Sequence, residues 1–212
     1  CKGMELIIND SIDHGFITKK EVLRLLNSKK LSPVGKKMGT INTRLLEDEL
    51  SKHPLIENVE CYRTPGCKIG IEVTQRLPLL RVMAANGDNY YIDSKGKVMP
   101  IPNSSAHVAV VTGSVSRDFA TKELYKLGIF LQNHPLWEAQ IEQINVTPAK
   151  ELELVPRVGE HIIFLGKPGD YEEKFERLKI FYKKGLNQVG WNKYSRISLE
   201  FSNQIICTKK EK

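Results

Sequence analysis

No stretch of the 212-residue sequence approaches the roughly 20 consecutive apolar residues that a membrane-crossing helix needs, and the opening CKGMELIIND lacks the apolar centre of a secretory leader. The chain reads as a soluble piece. Without an initiating methionine, and with a strand-like first segment, it fits the outer part of an anchored protein. Catalytic signatures are missing too: no GxSxG elbow, HExxH helix, GxxxxGK[ST] loop or GxGxxG between a strand and a helix. Cysteine is scarce, and Cys1, Cys61, Cys67 and Cys207 do not form paired CxxC ligands for zinc. Cys61 and Cys67 flank the turn RTPG, so a cross-hairpin disulfide and free thiols are both open; strict disulfide geometry favours thiols.

A run of charge of one sign is absent as well. The formal net charge is +7, yet lysines and arginines alternate with acids, 13 against 10 up to Arg76 and 19 against 15 beyond it. Neither part is a basic arm, so the balance points to solubility rather than to nucleic-acid recognition. Tyr182, Lys183, Lys184, Trp191, Lys193 and Tyr194 mix bases with aromatics, but they fit a helix end and a packed loop, and no RNP, KH or helix-turn-helix pattern accompanies them. His14, His53, His107, His134 and His161 are scattered without metal-ligand spacing. The acid pairs Glu47 and Glu49, and Glu172 and Glu173, lie among lysines and read as solvated helix faces.

What the sequence does contain is a folded chain, 41% hydrophobic and 27% charged, long enough for one large or two ordinary domains. Met4 to Ile8 reads as a first strand. Thr18 and Glu21 form a capping box before the apolar spacing of Val22, Leu25 and Leu26, and that helix fades before Ser32 and Pro33. Asn42 caps a second helix that His53 and Pro54 stop, with Ile41 stapled onto Leu46. ENVECYR and KIGIEVTQR form a hairpin, with Pro65 and Gly66 in the two central turn positions. The first third is thus strand, helix, helix, strand, strand.

Beyond Arg76-Leu77-Pro78, the expected domain junction, short strands dominate: LLRVMAA, DNYYID, KVMPI, AHVAVVTG, then a meander of QIEQINVT, KELELVPR and HIIFLG. In NYYIDSKGKVMP, Asp93 opens a type I turn and Gly96 closes it in the left-handed region, which makes the segment a hairpin and not a reactive loop. One helix is expected from Phe119 to Asn133. A second starts at Asp170 and Glu173, carries Tyr171, Phe175, Leu178 and Tyr182 on one face, and ends at Lys183, Lys184 and Gly185. The phrases SKHPLIENV and QNHPLWEAQ are two helix stops. SRISLEF and QIICTK form a last strand pair around Ser202 and Asn203.

The order of the first five elements, then I-x-V-x-x-R-x-P at Ile71, Val73, Arg76 and Pro78, then YYID-x-x-G-x-V-M-P from Tyr90 to Pro100, resembles the extracytoplasmic part of the FtsQ/DivIB cell-division family. GWNKYSRISLEFSNQIICTK is similar to that family's closing strand pair, so the likeness spans residues 2 to about 209. It implies an α+β chain: a POTRA domain (β-α-α-β-β) over residues 1–76 and a mostly antiparallel β domain with two helices over 77–212. It further implies a non-enzymatic, cofactor-free scaffold, anchored by a single pass in the bacterial inner membrane with this region on the periplasmic side. The implied partners are FtsB/FtsL-type (DivIC/FtsL-type) proteins, held by strand addition at an edge formed by Phe201, Asn203, Gln204, Ile205, Ile206 and Cys207. POTRA-bearing assembly or transport factors for outer-membrane proteins are the competing reading; the fused β domain speaks against them.

Overall fold

The computed structural model describes residues 1–9, 16–102 and 105–210, arranged as two compact units. The first contains Cys1–Leu77 and Pro100–Ala106, and the second Pro78–Met99 and His107–Lys212. His14 lies outside the described residues.

In the first unit, β1 (Gly3–Asn9), α1 (Lys19–Ser28), α2 (Thr43–Leu50), β2 (Ile56–Arg63) and β3 (Lys68–Gln75) follow in order. The capping box is formed: the Glu21 amide donates to Thr18 Oγ1 (3.2 Å) and the Thr18 amide to Glu21 Oε2 (2.7 Å). The Leu45 amide likewise donates to Asn42 Oδ1 (3.2 Å), fixing the start of α2. The three strands lie in the order β1-β3-β2, parallel for the first pair and antiparallel for the second. Apolar alternation puts Val59, Cys61, Ile69, Ile71 and Val73 on one face, where they meet Val22 and Leu26 of α1 and Leu46 and Leu50 of α2.

The β2–β3 turn holds Pro65 and Gly66 in its two central positions, as expected, and adds a third loop residue. The register runs to Arg63 opposite Ile69, and the Thr64 amide donates to Lys68 O (3.0 Å), so three residues, Pro65 to Cys67, make the loop. The left-handed position falls on Cys67 (φ 53°), not on Gly66. Such three-residue hairpins follow a type I turn with one left-handed residue. The register also sets Cys61 opposite Ile71, well away from Cys67, and both thiols are free.

The second unit is one nine-stranded sheet, ordered β12-β11-β10-β9-β8-β7-β4-β5-β6. Its strands are β4 (Pro78–Ala84), β5 (Asn89–Asp93), β6 (Val98–Met99), β7 (Val110–Gly113), β8 (Ile141–Val146), β9 (Leu152–Pro156), β10 (Ile162–Gly166), β11 (Tyr194–Ser198) and β12 (Ile206–Lys209). Most neighbours are antiparallel. The pairs β4–β7, β7–β8 and β10–β11 are parallel because a crossover connects each of them. Helix 117–132 joins β7 to β8 and helix 171–189 joins β10 to β11. Both pack on the same face of the sheet through Leu124, Leu127 and Leu131 and through Phe175, Leu178 and Leu186.

Gly128 sits where helix 117–132 meets β4; a Cβ there would lie 2.8 Å from Leu79 Cδ2. Asp93 closes the β5–β6 turn as expected, its Oδ1 accepting from the amides of Lys95 (3.0 Å) and Lys97 (2.7 Å), with Gly96 at φ 74°.

Two boundaries differ from the sequence reading. The last helix does not end at Gly185: a wider turn at Tyr182–Leu186 carries it to Val189, because Leu186 is fully buried in the core and holds the chain there. His134-Pro135 does end helix 117–132, but Pro135 then starts a short helix, Pro135–Gln140, whose Trp137 is buried.

Candidate partner-binding edge

Ile197 on β11 places its side chain in the core, whereas Ser198 turns to the opposite, open face. Antiparallel pairing sets Ile206 opposite Ser198, Cys207 opposite Ile197 and Thr208 opposite Arg196. Cys207 therefore packs inward and Ile206 stands on the open face, 46% exposed. Burial pushes the Cys207 thiol up.

β12 is the terminal strand of the sheet, so one flank of its backbone faces away from β11. Which groups face outward follows from the ladder. The Lys210 amide donates to Lys193 O (3.1 Å), and backbone groups alternate sides along a strand. Ile206 and Thr208 consequently point their amides and carbonyls into the sheet, and Cys207 and Lys209 point theirs outward. An irregularity between Tyr194 and Arg196, opposite Thr208, absorbs one extra residue without changing that alternation.

Of the six residues expected to form the edge, Ile206 and Cys207 lie on β12. Phe201 and Asn203 lie in the turn before it, and Gln204 and Ile205 in the short approach. Phe201, 47% exposed, projects from the turn, and Ile205 packs on the core. Two residues outside that set belong to the same surface. Lys209 supplies the second outward amide. Arg177, on helix 171–189, donates from its guanidinium to the carbonyls of Leu199 (3.2 Å), Gln204 (3.2 Å) and Phe201, and so pins the β11–β12 loop from both sides. Glu173 lies 3.6 Å from Arg177 Nε and orients it. Extending period-two alternation past Cys207 would have found Lys209. Arg177 was hidden because Glu173 and Arg177, four apart on a helix, look like an ordinary surface pair.

The opposite end of the sheet is built otherwise. β6 has two residues and runs directly into Pro100, which cannot donate to a ladder.

Two histidines elsewhere are held in aromatic surroundings. His161 is buried, its Nε2 2.8 Å from the Tyr182 hydroxyl and its ring beside those of Tyr182 and Trp191; burial holds its imidazole below the ordinary histidine range and pushes the Tyr182 phenol up. His134 stacks on Phe130 with ring centroids 4.2 Å apart and donates from Nδ1 to the Phe130 carbonyl (2.7 Å). Among the described residues, no three His, Cys, Asp or Glu side chains converge as a metal-ligand set. No helix among them is long and apolar enough to cross a membrane.

Two family models match the chain: "FtsQ/DivIB, C-terminal related" over residues 77–208 and "POTRA-like domain" over residues 1–74. Among curated proteins the chain is similar to "Cell division protein FtsQ" of Myxococcus fulvus, 26% identical over 173 residues, covering 76% of this chain and 58% of that protein. It is also similar to "Cell division protein FtsQ" of Geotalea daltonii, 25% identical over 187 residues, covering 82% of this chain and 66% of that protein. It thus spans roughly three-fifths to two-thirds of the length of these relatives. With a POTRA-like unit of β-α-α-β-β order, and a mixed sheet that the FtsQ/DivIB match covers from β4 into β12, the chain belongs to the FtsQ/DivIB family of cell-division proteins.

Proposed function

We propose that this chain is a non-enzymatic scaffold of the bacterial division machinery that recruits FtsB/FtsL-type (DivIC/FtsL-type) proteins by strand addition at β12. The observation that carries the reading is the outer flank of β12, where Cys207 and Lys209 offer backbone groups with no neighbouring strand beyond them among the described residues. Phe201 and Ile206 supply exposed apolar side chains beside that flank, and Asn203 and Gln204 supply polar ones. A strand added there makes two outward pairs, and alternate side chains then select the sequence. In the full-length protein, a single-pass anchor in the inner membrane would hold both units on the periplasmic side, in keeping with relatives longer than this chain. The matched C-terminal unit favours this role over that of an assembly factor for outer-membrane proteins, which shares the POTRA-like unit alone.

Two proline variants test the edge. Proline at Lys209 removes an outward amide and leaves the β11–β12 ladder intact, as prolines on edge strands do. Proline at Ile206 removes an inward amide and loosens the hairpin itself. Titrating a soluble FtsB/FtsL-type segment, we expect Lys209→Pro to weaken binding about three- to ten-fold, the loss of one net hydrogen bond, with an unchanged fold. Unchanged affinity in a folded Lys209→Pro protein rules out strand addition at β12.

A further inference from the structure

The first unit also ends in an open-ended strand, but that strand is treated differently. β2 is the terminal strand of the order β1-β3-β2 and eight residues long, twice the length of β12. The Thr64 amide bonds inward to Lys68 O, so Tyr62 and Glu60 also face β3, and Val59, Cys61 and Arg63 turn their backbone groups outward. Glu47, from α2, reaches over that flank. Its Oε1 accepts the Cys61 amide at 2.7 Å, in the middle of the strand. The Arg63 guanidinium donates to Ile41 O (3.0 Å) at the entry to α2, tying helix and strand together a second time. Burial and the Glu47 carboxylate together push the Cys61 thiol up to about 12, as expected of a charge held against this position.

We infer that Glu47 is an edge guard: by occupying the Cys61 amide it keeps β2 from pairing with β2 of a second copy of this chain. The second copy is the occupant the sequence fits. An antiparallel two-fold register centred on Cys61 places Glu60 opposite Tyr62 of the second copy and Val59 opposite its Arg63, with no like charges face to face. It aligns the outward groups of Val59, Cys61 and Arg63 in hydrogen-bonded pairs. An unprotected edge of this length is a known route to association, and an acid laid across it removes the central donor on which such a ladder would build.

The test compares Glu47→Ala, Glu47→Asp and Glu47→Gln with the unsubstituted chain by amide hydrogen exchange and sedimentation velocity. In the unsubstituted chain the Cys61 amide is protected although it lies on an edge, and the chain does not self-associate through β2. Glu47→Ala removes the acceptor and Glu47→Asp shortens its reach by one methylene; the Asp variant keeps the test open should Ala fail to fold. Both are expected to speed Cys61 exchange about ten-fold or more at low concentration, a loss of roughly one hydrogen bond. Both are also expected to dimerise as concentration rises, with new protection at Val59 and Arg63. Glu47→Gln retains an acceptor oxygen and stays monomeric. Folded Ala or Asp variants that remain monomeric up to about 1 mM, or a Gln variant that dimerises like Ala, overturn the inference.

Discussion

Replacing Cys67 with glycine is expected to stabilise the first unit. Cys67 is exposed and sits at φ 53°, a conformation that costs an L-residue about 1–2 kcal/mol. Glycine relieves that cost and gives back about 0.5–1 kcal/mol through its greater freedom in the unfolded chain. The net gain is about 0.5–1 kcal/mol, which for a unit of this size raises the melting midpoint by about 2–8 °C. The measurement is thermal unfolding followed by NMR signals of the first unit, so that the second unit's transition does not obscure it. Cys67→Ala removes the thiol but keeps the backbone strain, and its midpoint stays within error of the unsubstituted protein. Gly66→Ala is the informative counterpart. Gly66 is not in the left-handed region and nothing lies within 4 Å of an added Cβ, so alanine is accommodated and gains up to about 1 kcal/mol from a stiffer unfolded chain. A fall in midpoint for Cys67→Gly, or a clear loss for Gly66→Ala, refutes the assignment of the left-handed position to Cys67.

Three further outcomes follow from other sites. Gly128→Ala should destabilise the second unit by about 1–3 kcal/mol in denaturant titrations, despite alanine's better helix propensity, because the new methyl meets Leu79 and Leu80. Burial lowers the pKa of His161, and of His53, so the unfolded chain takes up protons first on acidification. Stability contributed by the neutral imidazoles is complete above the ordinary histidine pKa and declines as pH falls below it; His161→Gln should flatten the second unit's share of that decline in melts across this range. Arg177→Met should leave the core intact but release the carbonyls of Leu199, Phe201 and Gln204, seen as faster exchange and shifted amides in residues 199–206 and as weaker binding of an FtsB/FtsL-type segment.

Local chemistry made much of this architecture readable. Thr18 with Glu21, Asn42, and Asp93 with Gly96 act on backbone groups a few residues away, and the structure places each in the expected role. What was unreadable depends on distant partners. Gly185 looked like a helix stop because its neighbours are lysines, yet burial of Leu186 outweighs the local preference. Similarly, Glu47 reads as a solvated acid until Cys61, fourteen positions on, is brought beneath it. Both helices of the second unit were legible, but the parallel pairing they impose as crossovers was not, because period-two patterning reports a strand's faces and not its neighbours. At the proposed binding edge, composition pointed to the terminal ribbon, whereas the split between inward Ile206 and outward Cys207 and Lys209 needed a ladder with a known register.

From β8 onward each strand of the large sheet joins the one made just before it. Such a sheet can be extended in the order of synthesis. The outer flank of β12 then comes into being after all the strands that support it have emerged from the ribosome. If partners dock there as proposed, a half-translated copy would have nothing to offer them, and recruitment would wait for the supporting sheet.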